Sequence, residues 1–318
     1  MTLERRDFLR TAGFGLTAFG LLGANAWSSE SKSDFKIGMC DWNVRDENNR
    51  GGNCRPEVIP RAVEAHLRGM QASVATSPDN APLREKSVRD KYKELCKKYD
   101  FTIHSVAAGS ILNKIPLATE PQSAVYVIDA IEAAASFGAK NILTAFFGNG
   151  DLKAKDSMGK TRNISDGQFK EYELDSSRIT RLVEVLRQIV PRAEDMGVAI
   201  GLENTITAKQ NLEIIERVGS PMVQVYYDIA NSWSNGYDVP GEIKMLGKDR
   251  ICEIHLKDNG KDVTRFDSPN SDIDWARVAK SCKDIGYDKW YCIEESGRKD
   301  KFIEDTRYNV AHAKKWLG

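Results

Sequence analysis

Four things are scarce in this sequence: net charge, histidine, closely spaced cysteines and long apolar runs. Lys+Arg and Asp+Glu both total 46, so the formal net charge is zero. Nothing electrostatic therefore points to a nucleic-acid or membrane-surface partner. The six cysteines (Cys40, Cys54, Cys96, Cys252, Cys282 and Cys292) include no CxxC pair, which excludes a zinc ribbon or a thioredoxin-type motif. Cys40–Cys54 is the one pair worth considering as a disulfide in an oxidising compartment; buried free thiols are the expected state. Histidine occurs only as His66, His104, His255 and His312. The apolar stretch at residues 12–22 falls short of the roughly 20 residues that a spanning helix needs. No Gly-rich nucleotide fingerprint follows the first apolar run.

What is there begins with a leader. The first residues, MTLERRDFLRTAGFGLTAFGLLGANAWSSE, combine a basic start, an apolar stretch and the small-residue site Ala24-Asn25-Ala26. This is the layout of an export signal. Arg5-Arg6-Asp7-Phe8-Leu9-Arg10 resembles the twin-arginine signal, which serves proteins exported already folded. The expectation is that residues 1–26 are removed, that the mature chain starts near Trp27, and that residues 27–318 form one domain. The mature protein is then periplasmic or otherwise exported, with no stable membrane anchor. No cysteine follows the small-residue site, so a lipoprotein is not expected.

The rest of the chain repeats one join. A helical pattern ends, a glycine follows, and a short apolar run starts at once, as at Gly69, Gly138, Gly197, Gly219, Gly247 and Gly286. Glycine tolerates the left-handed conformation just past a helix C-terminus. Strands are predicted at about 35–42, 70–76, 101–106, 141–147, 198–203, 222–228, 250–256 and 289–294. Between them lie patterns with helical spacing, such as Ile179-Leu182-Val183-Leu186-Ile189-Val190. Strict alternation of strand and helix implies parallel strands covered by helices. Eight units in this length predict an α/β fold, a closed (β/α)8 TIM barrel, with an open doubly wound sheet as the alternative. Residues 148–176 are a long polar connection after the fourth strand, read as a lid over the barrel mouth.

In such barrels the C-terminal strand ends carry the chemistry. Strand 5 ends at Glu203, strand 6 at Asp228, strand 7 at His255 and strand 8 at Glu294. Neighbouring strands lie about 4.8 Å apart, so four inward side chains at one level can converge on one divalent ion. Three carboxylates and an imidazole favour Mn2+ or Mg2+ over Co2+ or Zn2+. Alternation along a strand places Tyr226, Asp228, Glu253, His255, Lys257, Cys292 and Glu294 inward, and Cys252 and Glu295 outward. Glu253 is an oddity, a carboxylate deep in the barrel whose partner sequence does not name. His104, Trp42, Trp233 and Arg298 lie at or just past strand ends, where they could meet a substrate.

The stretches GLEN, YYDIAN, IHLKDN, GMQASV and DIDWARVAKSCKDIGYDKWYCIEES resemble the xylose isomerase-like TIM-barrel superfamily of sugar isomerases and epimerases. The resemblance covers essentially the whole mature chain. It implies that Glu203, Asp228, His255 and Glu294 hold the metal, and that Glu203 and Glu294 serve as the acid/base pair on a small carbohydrate. Asn231 stands where many epimerases carry a substrate-binding histidine, and Ala75 where many carry a glutamate closing strand 2. Both departures bear on the substrate rather than on the metal. The implied reaction is proton abstraction next to a carbonyl of a sugar or keto-sugar, with Lys257 stabilising the oxygen that gains charge. Export favours a free sugar, keto-sugar or glycoside over a sugar phosphate. A lyase acting on 3-keto-glycosides is the main alternative. A non-catalytic sugar-binding protein and an apurinic endonuclease-like enzyme are less favoured, the latter because it needs more histidines at strand ends. A homo-oligomer is left open.

Overall fold

The computed structural model describes residues 35–259, 264–295 and 298–318. The expected leader and the start of the mature chain lie outside them. Among the described residues eight strands occur: β1 (Ile37–Cys40), β2 (Gly69–Ser73), β3 (Thr102–Ala107), β4 (Asn141–Ala145), β5 (Ala199–Glu203), β6 (Val223–Asp228), β7 (Ile251–Leu256) and β8 (Tyr291–Ile293). They pair in parallel in sequence order, and β8 closes on β1. The predicted (β/α)8 barrel is the fold.

Among the described residues ten α-helices accompany it: α1 (Ile59–Glu64), α2 (Lys86–Tyr99), α3 (Gly109–Leu112), α4 (Ala124–Phe137), α5 (Ser176–Met196), α6 (Ala208–Val218), α7 (Ile229–Ser234), α8 (Val239–Arg250), α9 (Trp275–Asp284) and α10 (Phe302–Leu317). Among the described residues no helix is long and apolar enough to cross a membrane. Helix α5 shows why these segments form. Asp175 accepts from the Ser177 and Arg178 N–H groups and so satisfies two of the four free donors at the helix start. Ile179, Leu182, Val183, Leu186, Ile189 and Val190 bury one face against the barrel. Gly197 then turns left-handed, at φ 62°, and β5 follows.

The main core lies between barrel and helices, where Ile254 and Leu256 of β7 join the buried faces of the helices. Each such side chain contributes roughly 1.5–3 kcal/mol on full burial. The barrel interior is narrower and more polar, with a small apolar cluster of Ala107, Leu143, Ala145, Ala199, Tyr226 and Cys252.

Two details differ from the expected pattern. Gly69 is not a helix cap; the left-handed turn falls on His66, at φ 67°. Gly69 opens β2 instead, and a Cβ there would stand 2.8 Å from the Thr102 carbonyl oxygen and 2.9 Å from the Trp290 ring. Cys252 was expected to face the helices, yet it faces inward. The pairing of β6 with β7 slips between Val225 and Tyr226, whose partners are Ile251 and Glu253. Cys252 is the extra residue of a β-bulge, which breaks the alternation. The β2–β3 pairing slips in the same way, with His104 as the extra residue.

The polar connection 148–176 forms a short ribbon through the bridges Lys153–Leu174, Lys155–Thr161 and Asn163–Tyr172. Lys153 fastens it beside α7. Its Nζ donates to Asn235 Oδ1 at 2.9 Å and lies 4.8 Å from the centre of the Tyr172 ring.

Candidate metal and active site

Strand ends β5 to β8 bring Glu203, Asp228, His255 and Glu294 together. One ligand atom from each lies within 4.8 Å of the others. His255 Nδ1 is 2.9 Å from Glu203 Oε1, 3.6 Å from Glu294 Oε2 and 3.9 Å from Asp228 Oδ2. Barrel register produces this, since Asp228 pairs with His255 and His255 with Cys292, two residues before Glu294. Asp228 also begins α7, its Oδ1 accepting from the Asn231 N–H at 2.7 Å, which turns Oδ2 toward the other ligands.

Lys257 comes next. Its Nζ lies 2.7 Å from Glu294 Oε2 and 3.0 Å from Asp228 Oδ2. Asp258 points elsewhere and is held by the Trp275 indole N–H at 3.1 Å. The crowding shows in the acidities. Burial lifts the Glu294 carboxyl to about 7, with the Glu203 charge adding and the His255 and Lys257 charges opposing. Burial would also raise Asp228, but the Lys257 and His255 cations hold it below the usual carboxylate range. Burial would lower the imidazole of His255, yet Glu203, with help from Cys292 and the Glu294 charge, raises it well above its ordinary value. Buried carboxylates this close repel one another, and a divalent cation among them would relieve that repulsion. Three hard oxygen donors and one imidazole nitrogen, all inward and all within one small volume, fit such an ion.

A chamber of about 380 Å3 is lined by Glu203 and Glu294 of this cluster together with Lys257, Asn231, Trp42, Ser110, Asn113 and Phe147. Trp42 stands edge-on to the His255 ring, with centroids 6.4 Å apart. Ser110 and Asn113, in and after α3, carry no periodic or motif signal that would have marked them. Gln71 was also missed, although a polar side chain inside a short apolar strand is a visible sign. A second cavity, about 420 Å3, lies at the other end of the barrel around Lys36, Lys289 and Trp290 and contains none of the four ligands.

Three of the residues expected to meet a substrate, His104, Arg298 and Trp233, are not among those that line the chamber. His104 does not reach the chamber. Its side chain is shut off from solvent and stacks on Trp290 at 4.6 Å, with Nδ1 2.9 Å from Glu253 Oε1. That contact names the partner of Glu253, which also accepts from the Tyr226 hydroxyl and from Asn141 Nδ2 at 3.2 Å. Arg298 is drawn away by Asp305, which accepts from its Nε and Nη2 at 2.9 and 2.7 Å. Trp233 is half-buried against the outer core. The considered Cys40–Cys54 bond is absent, and all six cysteines are free. Cys54 Sγ donates to the Ser73 carbonyl, whereas Cys40 faces the barrel axis.

Fold and site thus define a parallel eight-stranded barrel with a cluster of side chains of metal-ligand type at the strand ends. The model of the family described as "Xylose isomerase-like TIM barrel" matches residues 59–317, and the chain belongs to that family. It is 30% identical over 176 residues to the putative L-ribulose-5-phosphate 3-epimerase SgbU of Escherichia coli K12, a match covering 52% of this chain and 60% of that protein. The chain spans about half the length of the curated relatives it matches. Among solved structures it resembles the 3-keto-D-glucoside 4-epimerase YcjR of E. coli, with a TM-score of 0.67 and 14% identity over 88% of this chain and 99% of that one. It also resembles the IOLI protein with a bound zinc atom, with a TM-score of 0.63 and 16% identity over 89% of this chain and 99% of that one. At these identities the structural likenesses speak for the fold.

Proposed function

We propose that this protein is an exported, divalent-metal-dependent sugar epimerase or isomerase that moves a proton beside a carbonyl group. The observation that carries this reading is that Glu203 and Glu294, two members of one four-ligand cluster, both line the same chamber with Lys257. When bound by Glu203, Asp228, His255 and Glu294, a cation supplies Lewis-acid polarisation of a substrate carbonyl. Mn2+ or Mg2+ suits the oxygen-rich set best.

Glu203 or Glu294 takes the proton from the carbon next to the carbonyl, and the other returns one to the opposite face. Lys257 holds its charge beside the oxygen that becomes negative as the proton leaves. Trp42 and Phe147 present flat apolar surface to a sugar face, and Ser110, Asn113 and Asn231 offer hydrogen bonds to hydroxyls. Among the described residues lining the chamber Lys257 is the only cation, and it is already paired with two carboxylates. That poverty of positive charge supports an uncharged sugar, keto-sugar or glycoside over a sugar phosphate, in keeping with the export-type leader. The names of the relatives, a putative ribulose-phosphate 3-epimerase and a keto-glucoside 4-epimerase, support the reaction class.

The test is incubation of the metal-loaded protein with a panel of free ketoses and 3-keto-glycosides. The expected product is an epimer or isomer of one panel member. A 1,2-unsaturated product would replace this reading with the lyase that shares its first step. Binding of a sugar without turnover in the presence of Mn2+ would leave a sugar-binding protein.

A further inference from the structure

The four ligands of the site above come from β5, β6, β7 and the end of β8. The next strands around the barrel offer another set, just beneath it. Cys292 of β8, Cys40 of β1 and Gln71 of β2 point to the axis on the far side of the His255 ring, and all four residues are completely buried. Cys40 Sγ lies 3.5 Å from Cys292 Sγ, 3.4 Å from His255 Nε2 and 3.4 Å from Gln71 Oε1. His255 Nε2 lies 3.4 Å from Gln71 Oε1. Barrel register sets this level, with Cys40 paired to Gln71 and Cys292 to His255.

The His255 Nε2–Gln71 Oε1 spacing is long for an N–H···O bond, which usually measures about 2.7–3.2 Å, while the three spacings to sulfur also suit ordinary sulfur hydrogen bonds. All four spacings are close to the edges of a tetrahedron. An ion bonded at about 2.3 Å to sulfur and about 2.1 Å to nitrogen or oxygen separates its ligands by roughly 3.4–3.8 Å. The Gln71 amide is also aimed. Its Nε2 donates to Ser105 Oγ at 2.9 Å and to the Tyr226 hydroxyl at 2.6 Å, which leaves Oε1 facing Cys40 and His255. Two thiols, an imidazole nitrogen and an amide oxygen form a donor set for a thiophilic ion, unlike the oxygen-rich set above it.

We propose that Cys40, Cys292, His255 Nε2 and Gln71 Oε1 form a second metal site for Zn2+, with the His255 ring bridging it to the upper site. Binding releases the two thiol protons and the Nε2 proton, so two thiolate charges offset the buried ion, and the His255 ring becomes an imidazolate only when Nδ1 also gives up its proton to ligate the upper ion. The site is structural, because all its donors are enclosed and it keeps no open position for substrate.

The test needs no substrate and therefore stands apart from the proposed catalysis. Wild-type protein, kept reduced, loaded with zinc and dialysed, is expected to retain two zinc ions per chain. The double variant Cys40→Ser/Cys292→Ser is expected to retain one. Cobalt-loaded wild type should show the intense near-ultraviolet absorption of thiolate-to-cobalt charge transfer. Asp228→Asn, which removes a ligand of the upper site only, should keep that absorption, and the double variant should lose it. Cobalt-loaded wild type without the absorption would overturn the proposal, even if the double variant failed to fold. Equal zinc content in wild type and double variant would overturn it too.

Discussion

His104 of β3 reaches across the barrel floor to Glu253 of β7, with Nδ1 2.9 Å from Oε1 and both side chains sealed from solvent. Glu253 faces inward by ordinary alternation with His255, and the β-bulge in which His104 is the extra residue breaks the alternation of β3. Burial alone would lower the imidazole's pKa, but Glu253, through its charge and its hydrogen bond, and the neighbouring Cys292 together outweigh it and lift His104 to about 9 from 6.5. A raised folded pKa means that the pair's stabilisation is complete below about pH 6.5 and is lost as pH rises through about 9. Glu253→Gln is expected to destabilise the fold by roughly 3–5 kcal/mol, the cost of leaving one member of a buried pair alone. It should also flatten the fall in stability between those pH values. Urea unfolding of both proteins at pH 6, 7.5 and 9 measures both effects.

Glu242 of α8 provides a second, independent pH signature. Burial raises its carboxyl to about 7 from 4.5, against the Ala208 N–H and the Tyr227 hydroxyl, which it accepts at 2.7 and 2.8 Å. The neutral acid is favoured in the folded state, so its contribution is complete below about pH 4.5 and is lost as pH rises through 7. A shift of this size corresponds to roughly 3 kcal/mol. Glu242→Gln, neutral at every pH, should gain stability relative to wild type as pH rises from 5 to 8. Thermal melting at both pH values checks the sign.

Glu203→Gln and Glu294→Gln should each lower kcat by about 10²–10⁴-fold, the usual worth of a positioned acid or base. Both amides keep the shape of the side chain, so the circular dichroism spectrum and melting cooperativity should be unchanged. Steady-state kinetics on the substrate found in the panel measures the loss.

Lys257→Met should lower kcat by about 10²–10³-fold while keeping the fold, if the ammonium stabilises developing charge as proposed. Metal content should be retained, because the four ligands are untouched. Partial recovery in Lys257→Arg would separate the effect of charge from that of shape. Comparing kcat with metal content in the same preparations makes the distinction.

Much of this molecule was legible in its residues. Each strand is a short apolar run after a helical pattern, so all eight could be placed, and the barrel followed from their alternation with helices. The cluster Glu203, Asp228, His255 and Glu294 was legible because ligand-type residues at four successive strand ends are hard to explain singly. The inward direction of Lys257 and Cys292 followed from the two-residue period. His104 and Cys252 did not, because an extra residue in one strand reverses that period locally and is set by pairing with a neighbour, which sequence does not display. Ser110 and Asn113 were missed because α3 is one short turn without an apolar stripe. The partners of Gln71 depend on barrel closure, which brings Tyr226, far away in sequence, onto its amide. Arg298 sits just past a strand end, as a substrate contact would, and only the fold shows Asp305 of α10 taking it.

The proposed reaction exchanges a proton with solvent at a carbon beside a carbonyl. Metal-loaded wild type and Glu203→Gln, incubated with the substrate panel in deuterated water and followed by mass spectrometry and NMR, test it most directly. Wild type is expected to place one solvent-derived deuterium at a single carbon next to the carbonyl, and the variant to do so at a strongly reduced rate. Product formed with its original hydrogen retained, or the same deuterium uptake with Glu203→Gln, would contradict it.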